Sequence, residues 1–246
     1  MRSTVTLFIL VSLFLFGCKK DTPFTAQEIV DKAIEVSGGD RFENSTISFD
    51  FRDRHYKAYR DHGKFQLERI TKDSLQVIRD VLSNDGFQRM LNDSVVKVAD
   101  SMIPRYSSSV NSVHYFSVLP FGLNVPAVNK TKQGKVLIKN KVYYKIKVTF
   151  NQEGGGEDFE DVFMYYIDNK SFKTNYVSYS YNENDGVGLR FREAFNERFV
   201  NGIRFVDYNN YRPKTEYATL ENLDSLFKAD ALGLLSKIEL KNVTVN

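Results

Sequence analysis

The sequence predicts an α+β fold built on a long, curved antiparallel sheet with helices covering its concave side. Three patterns carry that expectation. One amphipathic segment with helix start and stop signals opens the folded part of the chain. Apolar and polar residues then alternate at period two through most of the remaining length. Between them, Asp100 to Leu119 returns to a helical rhythm.

From Thr25 to Gly38, Ile29, Val30, Ala33 and Ile34 fall on one helical face. Thr25 and Glu28 stand as a capping box, and Gly38-Gly39 as a stop. The period then drops to two. Ile47, Phe49 and Phe51 alternate with Ser48, Asp50 and Arg52 in a strand that extends toward Tyr59, and strands over Lys64 to Ile70 and Leu75 to Leu82 come after it. The turn Asn84-Asp85-Gly86 leads into a fourth over Phe87 to Leu91, giving four strands in meander order.

Met102, Ile103, Tyr106, Val110, Val113 and Phe116 recur at steps of three and four, with Pro104 in the first turn and Pro120 and Gly122 ending the pattern. This is the second helix. From Val128 the β-period returns. Val142, Tyr144, Ile146, Val148 and Phe150 share one face of the clearest strand in the chain. A Gly154-Gly155-Gly156 loop and strands over Phe159 to Ile167, Phe172 to Tyr181 and Leu189 to Val200 come next. Asn201-Gly202 is a strong type I′ hairpin signal, since that turn needs two residues at positive φ, and its partner strand runs from Ile203 to about Arg212. A brief helix around Leu220, Leu223, Leu226 and Phe227 and a closing strand over Lys237 to Val245 complete the order.

The N-terminus predicts an address. Arg2, the apolar run through Leu15-Phe16 and small Gly17 before the chain's one cysteine resemble a bacterial lipoprotein signal ending at Cys18. On that reading residues 1–17 are a signal peptide, 18–24 a lipidated tether, and 25–246 a single domain. Acyl chains on Cys18 would hold the protein to a membrane without spanning it, because each buried CH₂ contributes about 0.8 kcal/mol and stable attachment needs more than one chain. The expected location is the cell envelope, lipid-anchored to the outer membrane and facing the periplasm or the surface. Lys and Arg number 34 against 31 Asp and Glu. That balance excludes nucleic acid as a general partner. With Cys18 acylated, disulfides, thiolate metal sites and a cysteine nucleophile are excluded too.

The order of helix, meander, helix and meander resembles the lipoprotein-carrier fold of the LolA and LolB proteins. The segment from Leu189 to Phe205, with Ser236 to Leu240 near the end, is similar to a family of secreted bacterial lipoproteins known only as a domain of unknown function. The carrier resemblance implies an incomplete β-barrel closed by helices over an apolar cavity, and a lipid or other amphiphile as its guest.

Arginines and tyrosines interleave in the strands, and Arg52, Arg54, Tyr176, Arg190, Arg192 and Tyr208 are the candidate ligand-binding residues. Where Leu189 and Phe191 point one way, Arg190 and Arg192 must point the other. Guanidinium forks bind carboxylate and phosphate bidentately, so a cationic rim on an apolar cavity would suit an anionic amphiphile. The same arginines would equally serve as cross-strand partners for Glu193, Glu197 and Asp207. The acidic loop Glu153, Glu157, Asp158, Glu160 and Asp161 lacks EF-hand spacing, and His55, His62 and His114 fit no metal motif. No nucleophile elbow, phosphate loop or dinucleotide fingerprint is present. No cofactor, metal or catalytic residue is therefore assigned. The expected role is a carrier, chaperone or scaffold for a hydrophobic ligand, with an envelope enzyme and a protein-interaction module as the alternatives.

Overall fold

The structure, a computed structural model, describes residues 23–156, 159–183 and 186–246. The signal segment, Cys18 and most of the tether lie outside the described residues, as do Glu157 and Asp158 of the acidic loop. The first helix, α1 (Ala26–Ser37), starts as its sequence dictates: the Thr25 backbone N–H donates to Glu28 Oε2 at 2.7 Å while the Glu28 N–H donates to Thr25 Oγ1 at 3.2 Å. These bonds satisfy two of the amides that a helix start leaves open.

A first sheet is formed by β1 (Asn44–Phe51), β2 (Arg54–Asp61), β3 (Lys64–Lys72), β4 (Val77–Ser83), β5 (Gly86–Leu91) and β6 (Ser94–Val96). The single strand expected from Ile47 to Tyr59 is a hairpin. Arg52, at φ 56°, and Asp53 form its turn, so that Phe51 pairs with Arg54 and Phe49 with Tyr56. The buried positions pass from odd (Ile47, Phe49) to even (Tyr56, Ala58) across the turn, a change of phase that a glycine-free turn does not announce.

Helix α2 (Ile103–Ser117) fills the middle of the chain, with Pro104 in its first turn. A second sheet is built from β7 (Val128–Ile138), β8 (Lys141–Phe150), β9 (Val162–Asp168), β10 (Thr174–Glu183), β11 (Gly186–Val200) and β12 (Ile203–Pro213). Short α3 (Leu223–Lys228) precedes β13 (Leu232–Ile238) and β14 (Lys241–Val245). The expected antiparallel sheet is thus two seven-stranded sheets, ordered β14-β1-β2-β3-β4-β5-β6 and β13-β12-β11-β10-β9-β8-β7. The closing strand read from Lys237 to Val245 divides at Glu239-Leu240, where the chain leaves one sheet for the other. Neither sheet closes on itself, and the assembly is an open, incomplete barrel.

The second sheet is covered on both faces, which explains the nearly unbroken apolar run of β9. Phe163, Tyr165 and Ile167 face a core with Ile29, Val30 and Ala33 of α1, while Met164 and Tyr166 face a core with Leu220 and Leu223 around α3. Helix α3 therefore sits on the side opposite α1 and α2. Tyr143, Tyr176 and Phe191 make that second face apolar enough to need a cover.

Helix α2 packs against both sheets. Val110 meets Ala58 and Leu67 of the first, and Tyr115 and Phe116 pack on the core of the second. Polar bonds fix it on each side. Arg69 Nη1 donates to Ser109 Oγ at 2.6 Å, His114 Nε2 donates to the Glu68 carbonyl at 3.0 Å, and the Tyr115 and Tyr165 hydroxyls meet at 2.7 Å. Among the described residues no helix is long and apolar enough to cross a membrane.

Candidate functional site

Between α2 and the inner face of the second sheet lies a cavity of about 460 Å³, within the range of small-molecule sites. Strand register builds its floor. Arg192 on β11 stands opposite Asn210 on β12, and Asn210 opposite Ser236 on β13, so three polar side chains from neighbouring strands line one row. Phe51, Val113, Phe116, Ile238 and Leu240 supply apolar wall, and Ser108 and Ser112 reach it from α2. Exposed Arg52, Glu160 and Asn182 stand at its margins, whereas Tyr179, Arg192, Tyr208 and Asn210 are buried.

Arg192 is the chemically distinctive member. It is 8% exposed, and no carboxylate lies within ion-pair distance of it among the described residues. Its Nη2 donates to the Tyr179 hydroxyl at 2.7 Å, and this is its guanidinium's one hydrogen bond among those residues. The ring of Phe116 lies 3.6 Å from its central carbon, with Tyr179 at 5.1 Å and Tyr208 at 6.0 Å. Aromatic faces attract such a cation. They do not replace the oxyanion that a buried guanidinium ordinarily acquires. Nε of Arg192 and Oδ1 of Asn210 are both buried without a partner among the described residues, Asn210 spending its amide N–H on Ser236 Oγ at 3.2 Å. Burial raises the Tyr208 phenol above its ordinary range, so it stays a neutral hydroxyl.

The structure brings together Arg52, Arg192 and Tyr208 of the six candidates. Arg190 lies just outside, its guanidinium 5.1 Å from the ring of Tyr181, which does line the cavity. Arg54 borders a separate surface hollow with Asp50, His55 and Lys72. Tyr176 is on the far face of the sheet, against Tyr143, Phe191 and Phe227 beneath α3. Its parity explains this: Tyr176 pairs with Glu193, one residue out of step with Arg192. Two further arginines of these strands, Arg198 and Arg204, do pair with carboxylates, Asp207 at 3.1 Å and Glu197 respectively. Sequence reading missed Asn210, Ser236 and Phe116 as cavity residues, because register across β11, β12 and β13 and the seat of α2 place them there.

An open antiparallel half-barrel, plugged by one helix beside a partly open cavity, is the class that fold and site define. The chain belongs to a family of unknown function, DUF6503, whose sequence profile matches residues 5–240. No curated protein matches the sequence. Among solved structures it is similar to a DUF1329 family protein from Desulfovibrio piger, at 11% identity over 89% of this chain and 92% of that one with a TM-score of 0.50. It is also similar to a LolA superfamily protein from Nitrosomonas europaea, at 9% identity over 91% and 92% with a TM-score of 0.49. A third is a putative outer membrane lipoprotein-sorting protein domain from Vibrio parahaemolyticus, at 8% identity over 74% and 86% with a TM-score of 0.40. Likeness at such identities concerns the fold alone.

Proposed function

We propose that this protein is an envelope lipoprotein, tethered through acylated Cys18, whose domain over residues 25–246 holds a hydrophobic or amphiphilic ligand as carrier, chaperone or scaffold. The observation that carries the reading is the cavity under α2: about 460 Å³ with apolar walls from Phe51, Val113, Phe116, Ile238 and Leu240. This space is open to solvent on one side and partly roofed by one helix, and its combination of apolar wall with buried polar groups is that of a small-molecule site. The apolar N-terminal run ending in Gly17-Cys18 supports the envelope address.

The test is native mass spectrometry of the full chain extracted from its membrane, with its own acyl modification counted separately. A ligand bound in excess of that modification, and lost when Phe116→Asp places a charge in the wall, is the expected result. A chain that carries no such ligand and takes up no fluorescent fatty acid would end this reading.

A further inference from the structure

Polar and apolar groups both line the cavity, and the buried charge among them is Arg192 in its floor. Arg192 is a permanent cation, buried to about nine-tenths, with no carboxylate in range among the described residues and with Tyr179 as its sole hydrogen-bond acceptor there. Several other buried or half-buried arginines have anionic partners, though Arg60, buried against the ring of Phe121 and outside this cavity, has none among the described residues. Arg69 and Arg89 share Asp80, Arg79 holds Glu68, and Arg204 holds Glu197. The carboxylates that face the cavity, Glu160 and Asp161, stand outside ion-pair distance of Arg192. Beside Arg192 in the same row, Asn210 leaves its Oδ1 unpartnered.

We infer that the cavity takes a single-chain anionic amphiphile, head inward, with a carboxylate or phosphate oxyanion on Arg192 and its apolar chain between α2 and the second sheet. This rests on the ligand-binding reading above and narrows it. The oxyanion supplies the acceptors that the guanidinium lacks. A head bearing a hydroxyl next to the oxyanion would also donate to Asn210 Oδ1. A volume of about 460 Å³ falls in the lower part of the small-molecule range, which suits one chain rather than a bundle of several. Phe116, stacked on Arg192 at 3.6 Å, is then the side chain that separates head from solvent.

The experiment uses the full chain in its native membranes and three photoactivatable probes of palmitate length: a carboxylate, an alkyl phosphate and the matching alcohol. Labelled peptides are mapped by mass spectrometry. Labelling of cavity peptides by one or both anionic probes, about ten- to hundred-fold above the alcohol, is expected for a charge-assisted hydrogen bond in a buried site. Arg192→Met should erase that preference, and Arg192→Lys should keep part of it. The wild-type comparison needs no variant to fold, and a thermal melt of each variant accompanies it. Carboxylate labelling alone identifies a fatty-acid-type head, and phosphate labelling alone a phospholipid-type head; either supports the inference. Equal labelling by the alcohol overturns the head assignment while leaving a ligand-binding cavity. Inorganic phosphate displacing a probe as well as its unlabelled analogue does would mark a small-anion site and overturn the amphiphile. Cavity peptides untouched by all three probes would sink both this inference and the reading on which it rests.

Discussion

At the scale of single residues, His114 shows how a side chain can be set by its surroundings against its ordinary chemistry. It is buried in α2 edge-on against the stacked rings of Phe49 and Tyr56, with Nε2–H on the Glu68 carbonyl and Nδ1 without a partner among the described residues. Burial, with the nearby charge of Arg60 adding to it, depresses its pKa from 6.5 to about 4. Arg60 is itself lowered to about 10 by burial. The folded protein therefore refuses a proton that the unfolded chain accepts below pH 6.5. Stability contributed by His114 is complete above that pH and falls as the pH drops toward 4, by about 3 kcal/mol in total. Urea midpoints at about pH 7 and about pH 5 should show this decline, and His114→Gln, which can still donate to the Glu68 carbonyl, should flatten it. A variant with the same slope as wild type would refute the assignment. Asp80 and Glu68, whose pKa values are lowered by Arg89 and Arg79 against the opposing effect of burial, add losses only at more acid pH. None of this was legible beforehand, since a lone histidine in an apolar helix says nothing of the carbonyl that receives it. Arg192 is the intermediate case. Parity fixed which way it points, but only the seat of α2 showed that the place was a cavity floor rather than solvent.

At the scale of elements, the hairpins and the ion cluster invite tests. The turn between β11 and β12 has Asn201 at φ 46° and Gly202 at φ 80°, the type I′ geometry that Asn-Gly favours. Gly202→Ala should lower stability by about 1–2 kcal/mol through backbone strain. Its new Cβ would fall 2.8 Å from Nε of Arg41, a flexible side chain that can withdraw. A melt unchanged from wild type would contradict this. On β3, β4 and β5, Asp80 is 2% exposed and accepts from Arg69 at 2.6 Å and from Arg89 at 2.6 Å. Asp80→Asn should cost about 3–5 kcal/mol, because two arginines would share a buried site with no anion between them. Chemical denaturation measures it directly. The element order was readable where period and turn chemistry agreed, as in α1 and at Asn201-Gly202. It failed where a turn lacked glycine. Arg52-Asp53, Asn92-Asp93 and Lys139-Asn140 all turn with at least one non-glycine residue at positive φ, and the first of these hid a hairpin inside what read as one strand. The two-sided burial of the second sheet was partly visible in Phe163 to Ile167, whereas α3 on the outer face depended on tertiary packing.

At the scale of the whole molecule, the proposed address is testable apart from the cavity. If acylated Cys18 is the attachment, as proposed, Cys18→Ala should move the chain out of the membrane fraction; a variant that stays membrane-bound through washing would argue for another means of attachment. The overall shape was legible as an open antiparallel barrel because helical interruptions divide two long β-runs. Its division into two sheets was not, for nothing in Glu239-Leu240 announces a change of partner. That change governs how the molecule is finished. β14 pairs with β1, Ile47 opposite Val245, and Thr46 and Asn246 exchange backbone bonds at 2.8 and 3.0 Å. One edge of β1 is filled by its hairpin partner β2 and the other only by β14, and pairings so distant in sequence form slowly. The hairpin of β1 and β2 can close early, but the outer edge of β1 stays bare until β14 arrives, so the first sheet is completed by a strand from the opposite end of the fold.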